Sequence, residues 1–379
     1  MLRIERIAVS ILHVPIDDVV PMSFGRLEGR QSCIVEVESG GLTGIGESWI
    51  NYPSWAPSER VATVMEGVAP LVLGADVDHP RTFLDELARV LVPIGRQWGA
   101  LGPIWQALSG VDIALWDLFA RARGVSVGRA LADDAAQSLR SHIPGYASGV
   151  GPDDVVNLTE KALTLGFGAV KAKLGFGADT DIATVQAVRS VAGSDVDLFV
   201  DANQAWTLDE ATSMIPTLTD HGVAWLEEPL AGDRLADLEK LALAGDIHLA
   251  TGENLYGMDA FAAYGHSPAV SILQPDLAKC GGLTMGDRVT GQDQHHRIAP
   301  HCYSSAIGLA AGAHLGAARA NVEWLEVDVR PNPLRTDLFE QPLEWEGGAI
   351  RVPEGPGLGV VLDREVVGRY CIRHEELTI

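Results

Sequence analysis

An α/β barrel preceded by an α+β domain is the fold this chain predicts, on three observations. From about residue 139 to 345, short apolar runs alternate with helical patterns, the order that builds a parallel sheet covered by helices. Along that stretch Lys171, Asp201, Glu227, Glu253, Asp276, His301 and Glu326 recur at steps of 23 to 30 residues, each at or near the end of one run. A barrel collects its chemistry at the C-terminal ends of successive strands, so this rhythm gathers the seven at one mouth. Finally, 379 residues exceed one ordinary core and imply more than one domain.

The elements follow in order. Residues 1–130 read as the α+β domain. Ile4, Ile7, Val9 and Ile11 begin one strand, Cys33 to Glu38 forms another, and Gly40-Gly41 marks a hairpin into Leu42 to Glu47. Helical patterns cover Ser58 to Leu73, Pro80 to Val92 and Trp105 to Arg123, the last closed by Gly124. Residues 131–345 form the barrel, ending in a strand at Val322-Glu-Trp-Leu. Residues 346–379 are strand-like and rich in Gly and Pro, and are expected to pack back on the first domain.

Composition narrows the function. Asp+Glu outnumber Lys+Arg by 51 to 28, a formal charge of −23, which argues against nucleic acid or an anionic membrane as partner. Hydrophobic residues make up 47%, as in a soluble globular protein. The start mixes charged and apolar residues like a half-buried strand, unlike a signal peptide, and Ala306 to Ala318 is too short to span a bilayer. Cys33, Cys280, Cys302 and Cys371 lie far apart without zinc spacing. A cytoplasmic protein with reduced thiols is the expectation.

Asp201, Glu227 and Glu253 offer hard oxygen ligands at the ends of three consecutive strands. One such acid is as well explained by a helix cap. Three together repel unless a cation binds, which favours Mg²⁺, with Mn²⁺ as the substitute. Glu228 falls on the other side of the strand from Glu227, where it could support the ligands. Lys171 and Lys173 share one strand face; two buried ammonium groups must meet anions or act as bases, and each lowers the other's proton affinity. An exposed edge strand with solvated lysines is the bland alternative, set aside because barrel strands are buried. Asp276 and His301 read as a dyad in which the carboxylate fixes the imidazole tautomer. Glu326 ends the eighth strand and would donate a hydrogen bond if protonated. His295 and His296 read as an exposed helix end without a role.

Taken together, Gly110-Val-Asp-Ile-Ala-Leu-Trp-Asp117, Lys171-Ala-Lys173, Asp201-Ala-Asn203, Glu227-Glu-Pro229, Gly252-Glu-Asn254, Gln274-Pro-Asp276, Pro300-His301 and Trp324-Leu-Glu326 resemble the mandelate racemase subgroup of the enolase superfamily across essentially the whole chain. The resemblance implies a modified (β/α)₇β TIM barrel whose mouth is closed by the N-terminal capping domain. It also implies Mg²⁺-dependent removal of the proton α to a carboxylate, through an enediolate. Lys173 is then the base on one face and His301, oriented by Asp276, the base or acid on the other, with Lys171 and Glu326 on the substrate carboxylate.

Dehydration of an acid sugar, an aldonate or aldarate, is the leading expectation. Lactone cycloisomerisation of the galactarolactone type and racemisation of a 2-hydroxy acid are the alternatives. A silent binding barrel would be expected to lack a base or a ligand, and here the set is complete. The substrate is a small-molecule carboxylate. Its recognition is expected from the loops Pro21 to Arg26 and Trp49 to Trp55, and from Asn203, Arg26, Tyr146, Trp206 and Tyr303, with Arg26 clamping the distal carboxylate of a diacid. Core packing explains those aromatics equally well. Homo-oligomerisation is expected by analogy with relatives.

Overall fold

The computed structural model describes the chain except residues 133, 233 and 293–295, so His295 lies outside the described residues. Eight parallel strands form the barrel: His142–Val150, Ala169–Lys173, Asp197–Asp201, Val223–Glu227, His248–Thr251, Val270–Leu273, Arg297–Ile298 and Leu325–Asp328. Closure comes from Leu325–Asp328 pairing with His142–Val150, and from a bridge between Ile298 and Val322. Helices from Val155–Thr164 to Ala306–Ala318 cover the outside, one between each pair of successive strands. The result is a (β/α)₇β barrel behind a capping domain.

Local sequence explains these elements. Ala169–Lys173 is buried at all five positions, as a central parallel strand must be. Thr207 and Glu210 form a reciprocal capping box at the start of Leu208–Asp220. Ala306–Ala318 is buried at every residue; its glycines let it lie close to the sheet, since a Cβ on Gly316 would meet Ile143 at 3.0 Å.

Strand alternation stacks the barrel interior in layers. Tyr146, Ala169, Phe199, Trp225, Ala250, Ile272 and Ala299 form an apolar floor, one residue each from seven strands or their ends. Phe199 and Trp225 stack at 3.4 Å between ring centroids. Two residues further along most of these strands stand Ser148, Lys171, Asp201, Glu227, Gln274 and His301. The polar layer is the next inward-facing row above the floor.

The capping domain has an antiparallel sheet in the order Cys371–Thr378, Arg6–Met22, Gly25–Ser39, Leu42–Ser48. Gly40 and Gly41 turn its hairpin at φ 57° and 77°, where only glycine is unstrained. Its helices run longer than the sequence patterns suggest: Pro80–Trp98 continues through Pro93, and Leu101–Ala122 begins earlier. Asp112 and Trp116, in the quoted Gly110–Asp117 segment, dock on the barrel: Asp112 accepts from Thr284 N and Oγ1 at 2.8 and 2.6 Å, and Trp116 donates to Thr284 at 2.8 Å.

The tail departs from expectation at its start. Trp345–Glu346 and Ala349–Arg351 form a hairpin that pairs antiparallel with His142–Val150, on the barrel rather than on the cap. The first barrel strand extends below the floor and leaves an edge there, which the hairpin covers. Further on, Cys371–Thr378 joins the cap sheet beside Arg6–Met22. The last barrel strand begins at Leu325, not Val322, because Val322 makes only a single bridge. All four cysteines are free. Among the described residues, no helix is long and apolar enough to cross a membrane.

Candidate active site

The barrel mouth brings together all the acids, lysines and the histidine expected there. Carboxylate oxygens of Asp201, Glu227 and Glu253 lie within 4.8 Å of one another, and all three residues are buried. Asp201 and Glu227 end their strands. Glu253 follows Gly252, whose φ of 139° breaks the alternation; a Cβ there would meet Gln274 N at 2.7 Å. Asn203, Gln204 and Glu228, which follow the ligand strands, hold left-handed backbone at φ 45°, 63° and 37°. Such conformations cost energy in non-glycine residues and cluster at functional sites.

The charges are met by cations on both sides. Lys171 Nζ contacts Glu227 Oε1 at 2.7 Å and Glu326 Oε1 at 3.0 Å, and Lys173 Nζ contacts Asp201 Oδ2 at 2.6 Å. On the other side, His301 Nδ1 lies 2.7 Å from Asp276 Oδ2, so this nitrogen carries the proton and the carboxylate accepts. Its Nε2 faces Glu253 at 3.0 Å and Glu326 at 3.6 Å. Gln274 donates to Glu227 at 2.6 Å.

Electrostatics follow from this crowding. Burial, reinforced by Asp201, pushes the Glu227 carboxyl up to about 8. Burial and Glu253 push Glu228 up to about 8; it accepts from Gln204 and Asn254. Burial works against a charged His301, but Glu253 and Glu326 outweigh it and raise the imidazole to about 10. Burial also opposes a charged Lys173, yet Asp201, Glu326 and Glu227 together outweigh it and Lys171 and hold the amine above its ordinary value. The expected lowering of Lys173 by Lys171 is present but is outweighed. The physical reason is that the carboxylates that would ligate a cation are here paired with the ammonium groups.

Glu326 departs from expectation twice. It is the second residue of Leu325–Asp328 rather than its end. It also serves as an acceptor, from Ser148 Oγ, Cys302 N and Lys171. Burial would raise it, but Lys171 and His301 hold it well below the ordinary carboxylate range.

The residues present fit a divalent cation. The donor set is all oxygen and buried; beside it Asn203 Oδ1 has no hydrogen-bond donor, and Glu253 Oε2 faces the His301 imidazole. An oxygen acceptor left without a donor beside a buried cluster of carboxylates is what a hard cation satisfies.

The proposed recognition residues divide. Asn203 donates to Asp201 through its backbone N at 2.8 Å and Nδ2 at 3.0 Å. Tyr303 packs under Val20, Met22 and Leu27 of the cap. Tyr146 belongs to the floor beneath Lys171, and Trp206 to the main hydrophobic core. Arg26 is exposed. Arg30 instead is buried, 2.8 Å from Asp328 and 5.4 Å from the Tyr303 ring centroid. His296 is half-buried and bonds to Val270 O, after a helix that ends at Gln292.

Sequence reasoning assigned no role to several polar neighbours. Lys279 sits 3.2 Å from Glu253 and 4.5 Å from the Trp49 ring centroid. Its signal was its place three residues after Asp276. Gln274 and Ser148 were legible as the inward positions two residues past Ile272 and Tyr146. A cavity of about 1020 Å³ lies away from the mouth; its Arg81, Arg288 and Arg297 already pair with Asp287, Asp85 and Glu323.

Comparison with known proteins agrees with this geometry. Residues 154–366 match the model of the enolase C-terminal domain-like family, and residues 6–131 match the mandelate racemase / muconate lactonizing enzyme N-terminal domain. The chain is 30% identical to the D-galactarolactone cycloisomerase of Agrobacterium fabrum, over 97% of its length and 99% of the relative's. It is 29% identical to the arabinonate dehydratase of Saccharolobus solfataricus, over 88% and 89% respectively. A mandelate racemase/muconate lactonizing enzyme structure from Bordetella bronchiseptica RB50 superposes with a TM-score of 0.87 at 32% identity, covering 98% of this chain and 99% of that one.

Proposed function

The chain belongs to the mandelate racemase subgroup of the enolase superfamily, and from that premise we propose that it dehydrates an acid sugar after removing the proton α to its carboxylate. One observation carries the reading. Two proton-transfer groups flank a single carboxylate triad from opposite ends, Lys173 against Asp201 and His301 against Glu253.

Asp201, Glu227 and Glu253 would hold Mg²⁺. When bound, the cation supplies a positive charge that grips the substrate carboxylate and offsets the second negative charge of the enediolate. Lys171 orients one carboxylate oxygen, and Glu326 orients the other once it has taken up a proton to donate. With the charge of Asp201 taken up, burial and Lys171 both lower the proton affinity of Lys173, which is what a base near neutral pH requires. His301 carries a proton at Nε2 when charged and can deliver it to a departing β-hydroxyl on the opposite face. Asp276 keeps the imidazole oriented throughout.

A second reading, lactone cycloisomerisation, is supported by the likeness to the Agrobacterium enzyme over nearly the whole chain. It uses the same proton removal and expels a ring oxygen. One experiment separates them: ¹H NMR of the Mg²⁺-loaded protein in D₂O with aldonic acids, aldaric acids and their lactones. A 3-deoxy-2-keto product supports dehydration. A lactone opened to an unsaturated or deoxy acid supports the second reading. Deuterium at the α-carbon without water loss replaces both with racemisation.

A further inference from the structure

Glu47 lies near the end of the cap strand Leu42–Ser48, is 1% exposed, and reaches out of its own domain. Its carboxylate accepts from Ser305 N at 2.9 and 3.1 Å, from Ser305 Oγ at 2.7 Å and from Gly308 N at 3.0 Å. Within the cap, Ser32 Oγ donates to it at 2.7 Å. Ser305 is the N-cap of Ala306–Ala318, four residues past His301. Gly308 leaves room for this contact, since a Cβ there would stand 3.3 Å from Glu47 Oε2.

The same stretch of cap holds the histidine side at two further points. Asn51 donates to Tyr303 O at 2.9 Å, and Trp49 N donates to Ala278 O at 3.1 Å, two residues past Asp276. The segment 47–51 thus grips the loop of His301 and the loop of Asp276. A buried carboxylate bonded to backbone N–H groups at a helix start is held firmly, because separating them leaves a buried charge and several donors unsatisfied.

We infer that Glu47 is a positioning residue for His301. Through Ser305 and Gly308 the capping domain sets where the imidazole stands, both against Asp276 and over one face of the substrate, while Lys173 is placed by the barrel. The placement of the imidazole is independent of the substrate; its catalytic consequence rests on the reading above.

The test uses Mg²⁺-loaded full-length protein with ¹⁵N-labelled histidine. The Nδ1–H signal of His301 is assigned by its disappearance in His301→Asn. Glu47→Gln and Ser305→Ala are each compared with wild type after folding is checked by circular dichroism. Ser305→Ala removes one hydroxyl without burying an amide against N–H donors, and so covers a Glu47→Gln chain that does not fold. Displacement or loss of the signal in the folded variants is expected; an unchanged signal overturns the inference. With C2-epimeric aldonates in D₂O, α-proton exchange on the histidine face should fall about ten- to a hundredfold, and exchange on the lysine face should stay within about twofold. An equal fall on both faces shows a merely structural role and also overturns it. Wild-type protein that exchanges neither epimer counts against the proposed chemistry, while the imidazole signal still decides on Glu47.

Discussion

Lys173 ends a strand buried along its whole length, whereas His301 stands on a loop three residues past the short strand Arg297–Ile298. The lysine is fixed by the backbone ladder to Asp197–Asp201, in register with the carboxylate it faces. The histidine owes its place to side chains: Asp276 on one loop, and Glu47 and Asn51 reaching over from the cap. One face is therefore a property of the barrel and the other a property of how two domains dock. Changes in the cap can retune the histidine face without rebuilding the lysine face.

The sharpest way to break this comparison is Lys173→Ala. Proton exchange at the α-carbon should fall about 10³-fold or more on one face only, with Mg²⁺ binding retained by titration calorimetry. Exchange surviving on both faces would remove Lys173 from the chemistry. Asp276→Asn should cost about 10²-fold on the histidine face and leave lysine-face exchange near wild type; a loss on both faces would show the dyad to be a scaffold for the whole mouth.

A smaller effect sharpens the docking side. His314, on the helix that starts at Ser305, accepts from Gly128 N and donates to Leu358 O, and burial lowers it to about 4. Its folded value lies below the ordinary 6.5 of an exposed imidazole. The stability it supports is complete above pH 6.5 and declines as pH falls toward 4. In urea unfolding, the gap between wild type and His314→Gln should narrow by about 2 kcal/mol from pH 6.5 to 5. A gap constant with pH would mean that His314 titrates normally. Smallest of all should be Arg26→Ala, within about twofold for monoacids and diacids alike, as expected for an exposed side chain; a selective loss of diacid turnover would restore it as a distal clamp.

Much of the mouth was legible because strands repeat every two residues. Once Ala169, Phe199 and Trp225 face inward, Lys171, Asp201 and Glu227 must do so too. Glu253 was legible only from its spacing, since it lies beyond its strand where Gly252 interrupts the alternation; Asp276, also beyond its strand, keeps the phase of Ile272 and Gln274. The hairpin at 345–351 was not visible, because its partner is an edge of the first barrel strand that exists only after the barrel has closed. Glu47 was invisible for a similar reason. An acid near a strand end has no periodic signal for the helix it caps when that helix lies more than 250 residues away. The cation balance at the lysines was misjudged because strand pairing shows that Lys171 and Lys173 share a face, but not that the carboxylates outweigh them.

The strand Cys371–Thr378 borders the first strand of the cap, and that has a consequence for synthesis. The cap sheet leaves the ribosome before the barrel but lacks one edge until the entire barrel has been translated. Its open edge, Arg6–Met22, must stay unpaired or be shielded throughout that interval. Conditions that slow elongation should therefore threaten the N-terminal third of this chain before they threaten the barrel.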